Sequence, residues 1–383
     1  MIVCTEDDKD FDLYKDKVSN RKVVFTIKQI FTDHWQVFKD KHPHINIRNI
    51  VHASVEKVLT CKTLAAGFSV YLCECMTKLF VCHTCKSRFC SSCGNKYNEA
   101  RSTSLISKLF NTKHRHVVFT IPEILRPYFR EDRNRLNLLF KASASTINFY
   151  FNTKHKKLKP AFISVLHTYG RSLIFNPHIH MILLDGGISD NDFKRITYFN
   201  YASFRKSFQK VVLDLLEKEL GKKKFRRLKN DLYYKYQDGF YVFAPPSKFK
   251  TPLELIKYVC RYLARPVMAE SRIIDYNGEF VTFWYSHHET EKIIIERVSA
   301  YEFIKRLIVH IPDKNMKYIR FYGAYHNRTI INIECTKLVS SEKIAWQKKN
   351  LKWRDMIIWN FQKDPQECPN CNKIMVYYNT EFT

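Results

Sequence analysis

The sequence predicts an α+β chain with a largely antiparallel central sheet and a small metal-binding module ahead of it. Two observations predict this. Apolar runs of strand length are separated by helical stretches of uneven length, not by the regular crossovers of a parallel sheet. Seven of the twelve cysteines fall between Cys61 and Cys93. The expected divisions are a helical and zinc-binding part over 1–110, the main domain over 111–330, and a basic tail over 331–383 with a CxxC pair.

Taken in order, residues 20–60 read as two helices around the break His42-Pro43-His44, and 61–95 hold the cysteines. A basic helical stretch over 96–110 leads into HRHVVFTIP, a strand over about 115–121 that Pro122 stops. Residues 123–152 look helical, and PAFISVLHTYG (160–170) and PHIHMILLDGG (177–187) read as paired strands. A long basic amphipathic region covers 192–230, followed by a strand in GFYVFAP (239–245). Thr251-Pro252-Leu253-Glu254 then gives a helix start, with Thr as N-cap, Pro at the first position and Glu at the third. VTFWYS (281–286) is a further strand. SAYEFIKRLIVHIP (299–312) is a helix opened by Ser299 and closed before Pro312.

The charge narrows the function. The 64 Lys and Arg against 37 Asp and Glu give +27, spread along the chain, and 15% of residues are aromatic. A basic surface with aromatic platforms suits single-stranded nucleic acid. No long apolar span or signal peptide supports a membrane location, so a cytoplasmic, nucleoid-associated protein is expected. Cysteines in a reducing compartment argue for metal rather than disulfides.

Zinc takes four tetrahedral sulfur or nitrogen ligands, and Cys90-Ser91-Ser92-Cys93 is a knuckle that supplies two. Cys73 and Cys85 are the best completing pair. Seven cysteines exceed one site, so either a second ion draws on Cys61, Cys75 or Cys82, or some are buried thiols. Cys368-Pro-Asn-Cys371 is either half of a zinc site completed elsewhere or a pair of thiols. Lys86 and Arg88 flank the cluster and are expected to touch DNA.

His178-Ile179-His180 lies ahead of the apolar run MILL, and on a strand residues i and i+2 share a face. Both imidazoles can therefore chelate one ion while Ile179, Met181 and Leu183 face the other layer. His42-Pro43-His44 is opposed by its proline, and His114-Arg115-His116 sits at a strand mouth. A hairpin turning at Gly170–Asn176 would bring His167 opposite His178 as a third ligand, although a one-residue slip would turn it away. Imidazoles with water and phosphate oxygens suit Mg²⁺ or Mn²⁺. Arg171, in the same turn, is a further expected DNA contact.

In the helix after Thr251, Leu255, Ile256, Val259, Cys260 and Leu263 form an apolar stripe. Tyr258 and Tyr262 fall beside it, one turn apart, with Lys257, Arg261 and Arg265 beyond them. Both phenols can leave the core together toward an anion.

With these residues in hand, the chain resembles the two-tyrosine HUH transposases of rolling-circle insertion sequences. The likeness runs over roughly 50–325, through CHTCKSRFCSSCG, HRHVVFTIP, VLHTYGRSLIFNPHIHMILLDGG and YVCRYLARPVMAESRI, then VTFWYS, EFIKRLIVHIP and IRFYGAY. Cys73-x-Cys75 departs from it, being tighter than the spacing usual in such zinc modules. The resemblance implies an HUH nuclease domain in which His178 and His180 hold the catalytic ion and Tyr258 and Tyr262 are the nucleophiles. It implies cutting and rejoining of single-stranded DNA through 5′-phosphotyrosine intermediates. Arg261 and Lys257 would assist at the phosphate, and Arg265 would hold the DNA. A replication initiator or relaxase would use the same chemistry, and a catalytically inactive zinc-dependent DNA-binding protein would not. The lack of a GxxxxGK[ST] phosphate loop and the zinc module favour the transposase.

Overall fold

A computed structural model describes residues 2–3, 25–43, 45–94, 105, 109–189, 192–196, 198–243, 254, 267–287, 290–326, 354, 358 and 364–382. Its elements are antiparallel sheets and helices, the expected α+β class.

The strand order of the main sheet is β13 (Ile319–Gly323), β5 (Ala161–Tyr169), β6 (Phe175–Leu184), β4 (His114–Thr120) and β9 (Val242–Phe243), every pair antiparallel. β6 is central, which explains its unbroken apolar run. Ile179, Met181 and Leu183 face a helical layer made of α4 (Leu136–Lys154) and α5 (Tyr201–Leu220). Phe140, Phe151, Phe204 and Phe208 fill that layer, each fully buried and contributing about 1.5–3 kcal/mol. On the opposite face, Ile182 and Leu184 pack with Ile163 and Val165 in a separate cluster, while His178 and His180 lie further along the same face.

The basic region expected over 192–230 resolves into a short hairpin, β7 (Gly186–Ser189) with β8 (Asp192–Arg195), and two helices, α5 and α6 (Lys222–Lys235). Gly221, at φ 89°, breaks the helices apart in a conformation that side-chain-bearing residues rarely adopt. α3 (Arg126–Glu131) precedes α4.

A second sheet joins β1 (Ile2–Val3), β12 (Ile293–Ser299), β11 (Phe280–Ser286) and β10 (Ile273–Tyr276). α7 (Ala300–Ile308) covers it, opened by Ser299, whose hydroxyl accepts from the Glu302 amide as the sequence predicts. Phe283, Phe303 and Leu307 share one core with Ile30, Phe31 and Phe38 of α1 (Ile27–Lys41), with Val51 and Val55 of α2 (Asn49–Thr60), and with Cys61, Cys90 and Cys93. The N-terminal helices are thus packed on strands more than 200 residues later in the sequence.

A third sheet pairs β2 (Phe68–Leu72) with β3 (Lys78–Cys82) on one side and with the last strand, β14 (Val376–Glu381), on the other. The strand at 376–381 therefore joins the sheet of the cysteine-rich segment some 300 residues earlier. At Gly67 (φ 78°) a β-carbon would lie 2.8 Å from the Glu381 carbonyl oxygen, so glycine is needed where β14 passes. No helix among the described residues is long and apolar enough to cross a membrane.

Candidate active site and metal centres

β5 and β6 pair with His167 opposite His178 and Val165 opposite His180. The register shifts by a bulge between His167 and Tyr169, beside Pro177, whose missing N–H is tolerated at such an irregularity. This register turns His167 onto the face of His178 and His180, and the three rings converge with ligand atoms within 4.8 Å of one another. The His178 Nδ1–H donates to the Asn176 carbonyl oxygen at 2.7 Å, so Nε2 carries the lone pair. That nitrogen lies 3.0 Å from His180 Nε2, the spacing of two adjacent ligands each about 2.1 Å from one octahedral ion. The donor set fits a divalent cation.

His114-Arg115-His116, which the sequence places at a strand mouth, lies inside the sheet: β4 begins at His114 and carries His116 within it, so His116 joins the histidine face unforeseen. His116 Nε2 lies 2.8 Å from His180 Nδ1, and the two rings stack at 5.1 Å with 3° between planes. Burial, reinforced by His178, pushes His116 down to about 4. Burial also holds His180 well below the usual imidazole range, helped by His167, His178 and His116. Both rings are neutral near pH 7, the state a metal ligand needs.

Two more features border this face. His167, Tyr169 and His310 line one small cavity with Arg88 and Tyr318, and the Arg88 guanidinium sits 4.6 Å over the Tyr318 ring. Phe243 pairs with Val118, which pairs with His180, so Phe243 shares the histidine face. Tyr241, two residues before, stacks on it at 6.2 Å, and both rings are exposed.

Cys61, Cys85, Cys90 and Cys93 form one four-sulfur group, with Sγ separations of 3.6 Å for Cys61–Cys93 and Cys85–Cys93 and 3.9 Å for Cys61–Cys90. Sulfurs 2.3 Å from a tetrahedral zinc are about 3.8 Å apart. Hydrogen bonding to Cys90 and Cys93 pushes the Cys85 thiol well up, whereas bonding to Cys85 and Cys90 holds Cys93 well down. Crowded thiols compete for protons in this way, and a divalent ion removes the conflict. Contrary to the expected pairing, it is Cys61, at the end of α2, and not Cys73 that joins Cys85 and the Cys90–Cys93 knuckle. Cys73 and Cys75 instead lie with Cys368 and Cys371, because β2 is paired to β14. Cys82 belongs to neither group of described residues.

Lys86 is exposed with φ 51°. Arg171 is exposed but donates to the carbonyl oxygens of Ser286 (3.4 Å) and His287 (3.0 Å), so it ties the β5–β6 turn to the end of β11. Tyr258, Tyr262, Lys257, Arg261 and Arg265 lie outside the described residues.

Known proteins resemble this chain over most of its length. Residues 30–121 match the family described as "Transposase zinc-binding domain", and residues 161–330 match the family described as "Putative transposase". The chain is 28% identical over 351 residues to the transposase for insertion sequence element IS801 of Pseudomonas savastanoi pv. phaseolicola, covering 86% of this chain and 84% of that protein. It is 27% identical over 326 residues to the "Putative transposase y4qJ" of Sinorhizobium fredii (strain NBRC 101917 / NGR234), covering 79% and 80%. No solved structure matches significantly. With both domains present in this order and likeness along most of its length, the chain belongs to this family of insertion-sequence transposases.

Proposed function

We propose that this transposase cuts and rejoins single-stranded DNA through 5′-phosphotyrosine intermediates, using Tyr258 and Tyr262 with a Mg²⁺ or Mn²⁺ ion held by His167, His178 and His180. The observation that carries the proposal is the convergence of those three imidazoles on one face of the antiparallel sheet. The bound ion would act as a Lewis acid on the scissile phosphate. A tyrosine oxygen attacks phosphorus, the new O–P bond replaces the bond to the 3′ oxygen, and that oxygen leaves as a 3′-hydroxyl after gaining a proton. Attack by a 3′-hydroxyl on the phosphotyrosine reverses the exchange on another strand and returns the phenol. The phosphodiester energy is kept throughout, so no nucleotide is hydrolysed. Lys257 and Arg261 would stabilise charge on the phosphate, with Arg265, Lys86 and Arg88 along the backbone. Arg171 is the weakest of the proposed DNA contacts, since carbonyl groups already engage its guanidinium.

His116 acts here as a positioning residue. Accepting from His180 Nδ1–H, it would fix the tautomer that turns Nε2 toward the ion. Tyr241 and Phe243 offer exposed rings on the same face, suited to stacking unpaired bases. Tyr241→Ala combined with Phe243→Ala should weaken binding of a single strand by about 1–3 kcal/mol per stacked base and leave duplex binding nearly unchanged. Equal weakening of both in a fluorescence-anisotropy titration would remove the platform from the account.

The proposal as a whole is tested by incubating the protein with labelled single-stranded DNA from the element's ends in Mg²⁺ or Mn²⁺. An SDS-resistant protein–DNA adduct is expected with single strands and not with the matching duplex. Binding without any adduct would leave a DNA-binding protein and overturn the enzyme reading.

A further inference from the structure

We propose that Cys73, Cys75, Cys368 and Cys371 form a second zinc centre, separate from the one at Cys61, Cys85, Cys90 and Cys93, that fastens the C-terminal strand to the N-terminal sheet. Their Sγ separations are 3.3 Å for Cys73–Cys371, 3.6 Å for Cys75–Cys368 and 3.5 Å for Cys75–Cys371. These are far beyond the roughly 2.05 Å of a disulfide and close to the edges of a tetrahedron of thiolates about one zinc.

The backbone on each side is folded into a tight turn that presents two sulfurs. In the β2–β3 turn, Met76 N–H donates to the Cys73 carbonyl oxygen and Cys73 N–H to that of Thr77, with Met76 at φ 67°. In the C-terminal turn, Asn372 N–H donates to the Cys368 carbonyl oxygen and Cys368 N–H to that of Lys373, with Asn372 at φ 59°. Both turns thus adopt a left-handed residue that strains the backbone, and the same geometry aims two sulfurs at the facing turn. The unusually tight Cys73-x-Cys75 spacing is thereby accounted for.

The surrounding core is too small to hold these turns together by itself. Tyr71, Cys73, Cys368 and Met375 are its buried members, with Leu79 and Val81 against them. The Asn370–Thr77 hydrogen bond and the Lys373–Glu74 ion pair are exposed and contribute little. Small modules of this kind depend on a metal or a covalent link. Of the seven cysteines over 61–93, four belong to the first centre, Cys73 and Cys75 lie between them in sequence and are completed by the C-terminal pair, and Cys82 belongs to neither.

The test uses the full-length protein. Elemental analysis should find two zinc ions per chain, falling to one in Cys75→Ser combined with Cys371→Ser. In the same variant, hydrogen exchange should show the amides of β14 and β2 losing protection together. Because that variant could misfold, the unaltered protein provides an independent measurement. Cys75 and Cys371 are exposed, so as free thiols they would react quickly with iodoacetamide. As ligands they should react about tenfold more slowly or less until a chelator is added. One zinc per chain, or fast alkylation of Cys75 and Cys371 before chelation, would overturn the second centre.

Discussion

His178→Ala or His180→Ala is expected to abolish DNA cleavage while leaving DNA affinity within about twofold of the unaltered protein. Affinity for DNA comes chiefly from cations on phosphates, and removing one imidazole changes that hardly at all. His180 is neutral because burial, with three neighbouring imidazoles, depresses its pKa. Losing a ligand removes Lewis-acid stabilisation worth several kcal/mol, and each 1.36 kcal/mol is a factor of ten, so a fall of roughly a thousandfold or more is expected. His116→Ala should act differently. Without its contact to His180 Nδ1, cleavage should fall by about 10- to 100-fold and be partly restored by more Mn²⁺. Single-turnover cleavage and binding isotherms measured side by side decide this. Parallel loss of binding and cleavage in the His178 or His180 variant would mean that the strand has only a structural role.

Removing zinc from Cys61, Cys85, Cys90 and Cys93 should unravel more than residues 61–93. Cys61, Cys90 and Cys93 are buried in the core that also holds Phe31 and Phe38 of α1, Phe283 of β11 and Phe303 of α7. Zinc binding to such a site contributes about 10 kcal/mol or more, comparable with the whole stability of a domain. Hydrogen exchange after chelation, or in Cys90→Ser with Cys93→Ser, is expected to show α1, α2 and β10–β12 losing protection as one unit. The β4–β6 strands rest on a different core, with Phe119, Ile179 and Phe208, and should keep theirs. Loss confined to residues 61–93 would show that the zinc module is energetically independent.

Local patterning made much of this legible. The β5–β6 hairpin, the opposition of His167 and His178, the Ser299 cap and the buried β6 follow from alternation, turn residues and capping, which act within a few residues. Other features depend on pairing that no local pattern encodes. The sulfurs nearest Cys73, those of Cys368 and Cys371, are almost 300 residues away in sequence and reach it only through the β14–β2 pairing, so local spacing points to the wrong partners. β2 and β3 were hidden by the cysteines themselves, whose spacing dominates residues 61–95. For His116 the difference is one of strand boundary: a start for β4 about one residue late puts His114 and His116 at the strand mouth instead of inside the sheet. The signal was present in HRHVVFT, where His116, Val118 and Thr120 alternate with buried Val117 and Phe119.

Peptide mapping of the DNA adduct distinguishes tyrosine chemistry from hydrolysis and from attack by any other side chain. With DNA labelled on the 3′ side of the cut, the label should stay on the protein, and the modified peptide should contain Tyr258 or Tyr262. On the helix that the sequence predicts, Tyr262 would lie about 40° nearer the apolar stripe than Tyr258, so Tyr258 is expected to react first. Tyr258→Phe should then lose the first adduct, and Tyr262→Phe should keep it but lose strand transfer. Label on a peptide lacking both tyrosines, or cut DNA bearing free 5′-phosphates with no adduct at all, would contradict the account.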